Sequence, residues 1–484
     1  MFIKKLTFCI FICKRMFHII NDISNAEEIM NISRRTFLKT AGAGAAIFSI
    51  LPRWAIGKEP APNSKINVAI IGCGGRGTAS VNEAGNFDRA NVVALCDVDW
   101  GRAGGSFNKF PNAQKFKDYR VMFDKMGKDI DAVFVCTPDH AHFPAAAWAM
   151  ANGKHVYIEK PLARTFWETQ ELKRIAKKTR LITQMGNQGH AGDGWRQVKE
   201  WHDAGLLGDV EEIHHWTDRP NVFWKQGLIE RPSQNHNSGN IDWNLWLNVA
   251  PDQPFSPAIA PFAWRGYQDF GTSSLGDMGC HFMDLGYSAF GLGLPSKIYG
   301  TRTEMNDYAW PAKAQVVYEF APNKYHKKPI KLFWYDANDK PKDLKNFKQD
   351  AIDRCSNGTA IVCSKRNVFC GNPYGGGVSI YPFEEFRDLR KSNALPAPTI
   401  ERVGGNPHHE FLRGCISGKQ PGSNIVDFSA DFAATVLLGL VPNFVPEKEL
   451  KFDGRQMKFT NSKEANSFLK SRYSYKTEFL PEKI

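Results

Sequence analysis

The 484-residue sequence has no run of about 20 consecutive apolar residues, the length that a membrane-spanning helix needs. It also has no internal repeat and no low-complexity tract. Its 42% hydrophobic and 23% charged residues are ordinary for a globular protein. These features exclude a membrane-spanning, collagenous or disordered class, and at this length two domains are expected.

Metal-binding patterns are also lacking. Ten cysteines are present, and the three that lie near one another, Cys355, Cys363 and Cys370, do not have the close C-x₂₋₄-C spacing of a zinc site. His214-His215 would point to opposite faces of a strand, and His408-His409-Glu410 lacks the i, i+4 histidine pair of a metalloprotease helix. We predict free thiols and no metal, and one disulfide within the cysteine trio stays open.

Positive charge is present but not concentrated. The formal charge is +12, and residues 1–57 hold eight basic and three acidic residues, which leaves 54 basic and 47 acidic residues (+7) for the remainder. These charges are spread along the chain, whereas a nucleic-acid-binding surface clusters them. We therefore predict no nucleic-acid partner.

The N-terminus carries an export motif. Ser33-Arg34-Arg35-Thr36-Phe37-Leu38-Lys39 matches the twin-arginine signal S-R-R-x-F-L-K at each position, and Ala55-Ile56-Gly57 offers a cleavage site after the apolar residues 41–51. That apolar stretch is too short for an anchor. We predict a leader over residues 1–57 with an alternative start at Met30, export by the twin-arginine machinery to the periplasm, and no permanent membrane anchor.

Residues 58–188 alternate apolar, β-branched runs with segments of helical length. The runs cover residues 65–71, 91–96, 131–136, 156–158 and 181–185, and the intervening helical segments include 143–152 and 165–179. Continuous apolar strands separated by helices are typical of a parallel sheet covered on both faces. We predict an α/β, doubly wound Rossmann domain over residues 58–188.

The pattern changes from residue 189. Strand-like runs occur at 211–217, 315–320, 330–334 and 359–363, and helical spacing at 275–290, 407–417 and 428–440. An irregular stretch rich in Pro, Asn and Trp occupies residues 219–274. We predict an α+β domain over residues 189–484, with a large mixed or antiparallel sheet, that binds substrate and mediates oligomerisation.

A glycine-rich turn follows the first strand. Gly72-Cys73-Gly74-Gly75-Arg76-Gly77 fits G-x-G-x-x-G. Gly72 permits the tight turn, Gly74 lets the backbone approach a pyrophosphate, and Gly77 allows close helix–strand packing, while the helix beginning near Arg76 offers its first amides to phosphate. With strand and helix in register, this motif predicts a dinucleotide site.

The type of dinucleotide is indicated by Asp97, which closes the second strand 20 residues after Gly77. Its carboxylate can accept hydrogen bonds from the adenosine ribose and would repel a 2′-phosphate. We therefore predict NAD rather than NADP, although the nearby Arg102 is compatible with a phosphate.

Three further motifs carry a family resemblance. Cys136-Thr137-Pro138-Asp139-His140-Ala141-His142 follows the third strand, and Glu159-Lys160-Pro161 closes the fourth. The third is Gly276-Asp277-Met278-Gly279-Cys280-His281-Phe282-Met283-Asp284, which contains D-x-G-x-H-x-x-D. Together they resemble the Gfo/Idh/MocA family of oxidoreductases, over about residues 65–284 and more loosely over 407–428.

The resemblance implies that Lys160 is the active-site lysine and that Asp277 and His281 are its partners. It implies cofactor contacts at Thr137, Pro138, His142, Glu159, Lys160 and Asn187, in addition to Gly72, Gly74, Gly75, Arg76, Gly77 and Asp97. His142 could instead be a packed loop histidine. The resemblance further implies a cis Lys160–Pro161 bond and a homo-oligomer formed through the sheet of the second domain.

The residues themselves agree with that assignment. Asp277, His281 and Asp284 are spaced i, i+4, i+7 and share one helix face, and Lys160 ends a parallel strand, where α/β sheets place their ligands. His281 could take a substrate hydroxyl proton, Lys160 could stabilise the developing oxyanion, and Asp277 could orient His281 or the substrate. The alternative is a purely structural His281 hydrogen-bonded to Asp277.

The substrate is indicated by aromatic residues before that helix. Five tryptophans, Trp216, Trp224, Trp243, Trp246 and Trp264, are interleaved with polar side chains such as Arg219 and Arg265. Ring faces beside hydrogen-bonding groups suit a sugar, although any single tryptophan could simply pack the domain. Trp216, Trp264, Arg265 and Asp284 are the predicted substrate residues.

Three functions remain open at this point. The first is an exported, NAD-dependent sugar oxidoreductase with a tightly bound cofactor, because no nicotinamide pool is maintained outside the cytoplasm. The second is an NAD-dependent glycosidase that uses transient oxidation, and the third is a non-catalytic sugar-binding relative. The resemblance favours the first, since the family's glycosidases tend to lack the lysine that stands here as Lys160.

Overall fold

A computed structural model of the protein describes residues 65–221, 223–230 and 237–482. The predicted leader, with its twin-arginine motif, lies outside the described residues. Four prolines in the described part follow cis peptide bonds, and one of these bonds is Lys160–Pro161, as expected.

The first domain is a six-stranded parallel sheet in the order β3-β2-β1-β4-β5-β6. Its strands are β1 (Ile66–Ile71), β2 (Ala90–Cys96), β3 (Gln114–Phe116), β4 (Ala132–Val135), β5 (His155–Glu159) and β6 (Thr183–Gly186). This is the doubly wound order, in which the strand sequence reverses between β1 and β4 and opens a crevice at their carboxyl ends. The predicted α/β fold is confirmed, and only the short, polar β3 had no signal in the sequence.

Each connection between consecutive strands of this sheet contains one α-helix. These helices are α1 (Gly77–Gly85), α2 (Trp100–Lys109), α3 (Tyr119–Met126), α4 (His142–Ala151) and α5 (Phe166–Thr179). Helix α5 begins where the sequence says it should, because the Thr165 hydroxyl caps the amide of Glu168 while the Glu168 carboxylate accepts from the amide of Thr165.

The second domain is built on a nine-stranded mixed sheet in the order β13-β12-β11-β7-β10-β9-β8-β14-β15. The strands are β7 (Val210–Trp216), β8 (Lys297–Arg302), β9 (Ala314–Phe320), β10 (Ile330–Tyr335), β11 (Gly358–Cys363), β12 (Asn367–Cys370), β13 (Ser379–Tyr381), β14 (Leu450–Asp453) and β15 (Lys458–Phe459). Strands β7 and β10 are parallel, and the other pairs are antiparallel.

The helices of this part are α6 (Gln188–Ala191), α7 (Gly194–Asp203), α8 (Trp243–Leu247), α9 (Ser273–Phe290), α10 (Gln349–Asp353), α11 (Phe383–Lys391), α12 (Pro407–Ser417), α13 (Ala430–Leu438) and α14 (Lys463–Ser467). Helix α9 packs on one face of the large sheet, where Phe282 meets Trp334 and His215. This packing fixes the helix that carries Asp277 and His281.

Helix α12 departs from the predicted domain division. The predicted second domain, residues 189–484, includes this helix, but the helix packs on the first domain, where Phe411 contacts Phe134 and His408 stacks on Tyr157. Phe411, Leu412 and Cys415 belong to the buried cluster on that face of the Rossmann sheet. The late part of the chain therefore returns to complete the first domain.

One described helical stretch, Ile425–Asn443, is long and apolar enough to cross a membrane, with a mean hydropathy of 1.6. However, 78% of it is buried inside the fold, and its residues Phe432 and Val436 are part of the main core. Burial in this core accounts for the apolar composition. The eight described cysteines are all free, as predicted.

A prediction concerns Gly77, the last glycine of the turn. A Cβ atom there would lie 1.7 Å from the carbonyl oxygen of Gly72, so Gly77→Ala must displace the turn and should destabilise the protein by about 1–3 kcal/mol. Gly105, inside α2, has open space around its Cβ position, so Gly105→Ala should be neutral or stabilising by about 0.5–1 kcal/mol. Denaturant midpoints of both variants test this, and equal effects would contradict the predicted packing.

Candidate active site

A cavity of about 340 Å³ lies along the carboxyl ends of the first sheet and is walled by both domains. Turns after β1, β2, β4 and β5 form one wall. Helix α9, the segment after β7, and residues 241–248 and 261–265 form the other. This is the crevice in which open α/β sheets bind their ligands.

The glycine turn forms a cradle at one end of the cavity. Gly72 has a φ of +81°, and a Cβ there would lie 2.7 Å from the Cys136 carbonyl oxygen. A Cβ at Gly74 would lie 3.0 Å from the backbone of Arg102. Gly72 and Gly74 line the cavity, and the helix that follows begins after Arg76, as predicted. The backbone here is open to a phosphate in the way a dinucleotide site requires.

Asp97 closes the adenosine end of the cradle. Its carboxylate accepts hydrogen bonds from the amides of Gly74, at 2.8 Å, and Asp99, at 2.9 Å. Burial raises the pKa of Asp97, and those amides counteract the rise. Asp97 therefore holds the glycine turn in place and still has lone pairs facing the cavity.

Two buried polar atoms between the cradle and β5 fit the ribose of a nucleotide. Thr137 Oγ1 and Glu159 Oε2 have no hydrogen-bond partner among the described residues, and both side chains line the cavity with Pro138. The other Glu159 oxygen pairs with Arg76 at 3.2 Å. Because buried polar atoms are normally satisfied, these two are suited to ribose hydroxyls.

A segment of the second domain, residues 240–248, covers this end of the cavity, and we name it the strap. Ile241 forms a β-bridge with Asp99, and the amide of Asp242 donates to the Val98 carbonyl at 2.9 Å. The Asn248 side chain donates to the Tyr119 hydroxyl at 3.3 Å. These contacts tie the strap to the Rossmann domain across the cleft.

At the other end, the lysine at the tip of β5 meets the acid on α9. Lys160 Nζ donates to Asp277 Oδ1 at 2.7 Å and to the Asp277 carbonyl oxygen at 2.8 Å. Both side chains are only 10% exposed. The predicted meeting of Lys160 and Asp277 across the two domains is therefore present.

Two arginines share the same carboxylate. Arg265, on the 3₁₀ turn Ala263–Gly266, places Nε 3.0 Å from Asp277 Oδ1, and Arg219, just after β7, places Nε 3.9 Å from Oδ2. Burial acts to raise the pKa of Asp277, but the charges of Lys160 and Arg265 outweigh it and lower the pKa below its usual value. Asp277 is therefore ionised.

His281 is oriented by Asn187 and not by Asp277. Its Nδ1 lies 3.3 Å from Asn187 Oδ1, and the Asn187 amide donates to the Cys280 carbonyl at 2.9 Å. This arrangement makes Nδ1 the donor and leaves Nε2 as an acceptor. Burial, followed by the charge of Lys160, holds the pKa of His281 well below its usual value. His281 lines the cavity, with the edge of Tyr374 against its ring.

Two predicted substrate residues are wrong. Trp216 is fully buried in the second domain, where its Nε1 donates to the Cys355 carbonyl at 2.8 Å, and it does not line the cavity. Asp284 is also buried, and its Oδ1 accepts from Ser288 and pairs with His190. Side chains alternate along β7, which turns Trp216 into the core, and Asp284 lies about two helical turns beyond Asp277 on α9, where it is buried. Trp264 and Arg265 do line the cavity.

Four predicted cofactor residues lie outside the cavity wall, and three of them support it from behind. His142 lies between the carbonyl oxygens of Thr137 and Pro161, at 2.8 and 2.7 Å from its ring nitrogens, so it is a packed loop histidine. Asn187 contacts His281, Gly77 packs on Gly72, and Gly75 is exposed beside Arg102.

Several cavity residues were not predicted, namely Asp139, Gln188, Phe223, Phe262 and Tyr374, whereas Arg219 and Trp246 belong to the group of residues that indicates a sugar pocket. Asp139 directly follows Thr137-Pro138, so its position in that motif could have indicated it. Tyr374 lies in the loop between β12 and β13, far from every motif, and no local signal marks it.

Comparison with known proteins gives a family model for each domain. Residues 66–187 match the oxidoreductase family NAD-binding Rossmann fold of Gfo/Idh/MocA proteins, and residues 196–289 match the C-terminal alpha/beta domain of the same family. The first domain is thus an NAD-binding domain.

Curated relatives include glycosidases and a dehydrogenase. Glycosyl hydrolase family 109 protein 1 of Shewanella sp. (strain MR-4) is 27% identical over 259 residues, 45% of this chain. Inositol 2-dehydrogenase of Salmonella paratyphi B is 28% identical over 152 residues, 31% of this chain. The aligned parts span 56% and 45% of those relatives, so the chain matches about half the length of each.

Solved structures share the fold. An inositol dehydrogenase homologue from Azotobacter vinelandii, complexed with NADH and myo-inositol, superposes with a TM-score of 0.51 at 15% identity and covers 80% of this chain and 98% of its own. This likeness shows the fold, and the two family models identify the domains. The chain carries the NAD-binding domain and the C-terminal domain of the Gfo/Idh/MocA family of oxidoreductases.

Proposed function

We propose that the protein is an NAD-dependent oxidoreductase that acts on a CH–OH group of a sugar or sugar derivative and retains its cofactor. The observation that carries this proposal is the meeting of Lys160, from the NAD-binding domain, with Asp277 and His281, from the second domain, at one end of the cofactor cavity. When bound, NAD supplies a hydride acceptor for the carbon that bears the reacting hydroxyl.

His281 is the proposed proton acceptor. Its pKa is held low, so the ring is neutral, and Asn187 fixes the tautomer in which Nε2 carries the free lone pair. A neutral imidazole held in this way can take the hydroxyl proton at Nε2 as the hydride leaves the same carbon. Asn187 acts through His281 and is a positioning residue.

Lys160 is the proposed electrostatic stabiliser. Its ammonium group has three N–H bonds, and two of them are directed to the carbonyl and carboxylate oxygens of Asp277. The third remains for the substrate oxygen as negative charge develops on it. The carboxylate of Asp277, whose pKa is lowered, also pairs with Arg265 and holds this ammonium in position.

The strap supports retention of the cofactor. Its tie points at Val98, Asp99 and Tyr119 flank the adenosine end of the cavity, which would have to open before a bound dinucleotide could leave. Asp97 beside the same end favours NAD over NADP. Retention suits a protein exported to the periplasm by the twin-arginine machinery, and both the export and the location are part of this proposal.

A carbohydrate substrate is supported by the aromatic wall of the cavity. Trp224, Trp264 and Phe262 line it beside the polar cluster, and ring faces next to hydrogen-bonding groups suit sugars. A homo-oligomer through the large sheet is supported by the alternating pattern of β9 and β10, whose second face carries the partly exposed Val317 and Phe333.

A second candidate is an NAD-dependent glycosidase, because the family 109 glycosyl hydrolases are among the relatives. Incubation of the purified protein with aryl glycosides and free sugars, without added cofactor, separates the two. Keto-sugar formation without aryl release, with one bound NAD reduced for each sugar oxidised, supports net oxidoreduction, aryl release supports the glycosidase, and binding without turnover contradicts both.

A first prediction concerns the catalytic pair. Lys160→Met and His281→Asn should each lower the rate of keto-sugar formation at least about 100-fold, because each removes a group that acts on the reacting oxygen. Both variants should stay folded and retain NAD through gel filtration, because Asp277 keeps its ion pair with Arg265 and the contacts of the strap are unchanged. Lys419→Met, at an exposed ion pair with Glu401, is the matched control. Wild-type rates in both site variants would refute the assignment.

A second prediction concerns pH. Because the pKa of His281 is lowered, its ring takes up a proton only well below the usual histidine range and loses it again as pH rises through that low value. NMR of nitrogen-labelled histidines should therefore show a His281 signal fixed as the Nδ1–H tautomer from about pH 5 to 8. The signal is assigned by its loss in His281→Asn, and a midpoint near the ordinary histidine pKa would contradict the prediction.

A further inference from the structure

The two arginines beside the catalytic lysine have more hydrogen-bond donors than the protein uses. Arg219 Nε and Nη1 are buried and have no hydrogen-bond partner among the described residues, and Arg265 Nε lies 3.0 Å from Asp277 Oδ1 without forming a well-oriented hydrogen bond. Each guanidinium carries five N–H donors, and both are in ion pairs with one shared carboxylate, that of Asp277. Buried charged donors are normally satisfied, so these point to a missing acceptor.

Aromatic rings hold both guanidinium groups by their faces. Arg265 lies over the Trp264 ring, with Cζ 4.2 Å from the ring centroid, and Arg219 lies over Phe223. Stacking of this kind uses the flat face of a guanidinium and leaves its N–H edges available. The edges are thus held rigidly at the cavity wall, as a bidentate anion site requires.

The side chains that line this end of the cavity carry more positive than negative charge. Lys160, Arg219 and Arg265 provide three cations against the two carboxylates of Asp277 and Asp139. Arg76, the next cation along the wall, is already paired with Glu159. Burial lowers the pKa of Arg219, in spite of the charges of Asp277 and of Asp218, which does not line the cavity. One negative charge on a ligand would balance the side chains of the wall.

Asp139 adds an acceptor to the same wall. Its Oδ2 accepts from the Thr272 hydroxyl at 2.6 Å, while Oδ1 is buried without a partner among the described residues. A carboxylate oxygen in this position suits a donated sugar hydroxyl. The rim of the cavity is aromatic, because Phe223, Phe262 and Tyr374 are each nearly half exposed there.

We propose that the substrate is a sugar acid whose carboxylate binds the N–H edges of Arg219 and Arg265 while a neighbouring ring hydroxyl lies between Lys160 and His281. Asp139 accepts a further hydroxyl, and the aromatic rim covers the ring. This inference rests on the proposed function and names the substrate class of the same site. Lys160 and Arg265 approach the same Asp277 oxygen, at 2.7 and 3.0 Å, so the two groups lie within one sugar ring of each other.

A carboxylate fits this cluster better than a phosphate. The guanidinium fork accepts either anion in a bidentate manner, but the cluster lacks one negative charge, and a phosphate monoester carries nearly two at neutral pH. The second charge would lie beside Asp277 and Asp139 in a buried site. A hexuronic acid supplies one planar charge and the hydroxyls that the other groups need.

The test compares hexuronic acids with the neutral hexoses of the same configuration. Glucuronate, galacturonate and mannuronate, glucose, galactose and mannose, and glucose 6-phosphate are titrated into the NAD-loaded protein by calorimetry. At least one uronate should bind about ten times more tightly than its neutral counterpart, the gain expected from one charged hydrogen-bonded pair. Its affinity should fall with added salt, and that of the hexose should not.

Variants locate the carboxylate. Arg219→Gln and Arg265→Gln should each weaken uronate binding about ten times more than they weaken hexose binding. Arg387→Gln, at an exposed ion pair with Glu384, is the matched control and should change neither. Thermal midpoints and retained NAD verify that each variant is folded. The comparison of sugars with the wild-type protein needs no variant, so it decides the question even if a variant does not fold.

The inference is overturned if hexoses bind as tightly as their uronates, if glucose 6-phosphate binds more tightly than every uronate, or if the arginine variants weaken both sugar types equally. Its failure is distinct from that of the proposed function. Oxidation of a neutral sugar that depends on Lys160 and His281 would keep the function and reject the sugar acid. Uronate binding without reduction of the bound NAD would keep the sugar acid as ligand and reject the proposed function.

Discussion

The buried ion pair between Lys160 and Asp277 is the contact on which the site depends. Lys160 ends a strand of one domain and Asp277 belongs to a helix of the other, so the pair exists only when the domains are closed on each other. Breaking a buried pair by removing one partner typically costs about 3–5 kcal/mol. This penalty keeps the Lys160 ammonium facing the same cavity as the His281 imidazole, which lies four residues after Asp277 on the same helix.

Burial has a different consequence for each member of the site. It favours neutral His281 as a base, whereas the cations around Asp277 keep that carboxylate ionised. A second residue orients each catalytic group: Asn187 orients His281, and Asp277 orients Lys160. Such preorganisation leaves little reorganisation for the moment of reaction. Arg219 keeps two buried donors that have no hydrogen-bond partner in the described part of the chain.

Local patterns predicted most of the frame. Continuous apolar runs gave β1, β2, β4, β5 and β6, and the capped start of α5 follows from Thr165 and Glu168. The glycine turn and Asp97 could be predicted because strand ends are fixed by short-range spacing, whereas the meeting of Lys160 and Asp277 was implied by the family resemblance. What could not be predicted depends on tertiary contacts: helix α12 crossing back to the first domain, the strap, Tyr374, and the burial of Trp216 and Asp284.

The most direct test is a crystal structure of the NAD-loaded protein with a bound sugar that it oxidises. The account predicts one sugar hydroxyl within about 3.2 Å of both Lys160 Nζ and His281 Nε2, with its carbon facing the nicotinamide and Asn187 still bonded to Nδ1. A sugar whose hydroxyls all lie away from these two nitrogens, or a lysine turned out of the cavity, would contradict it.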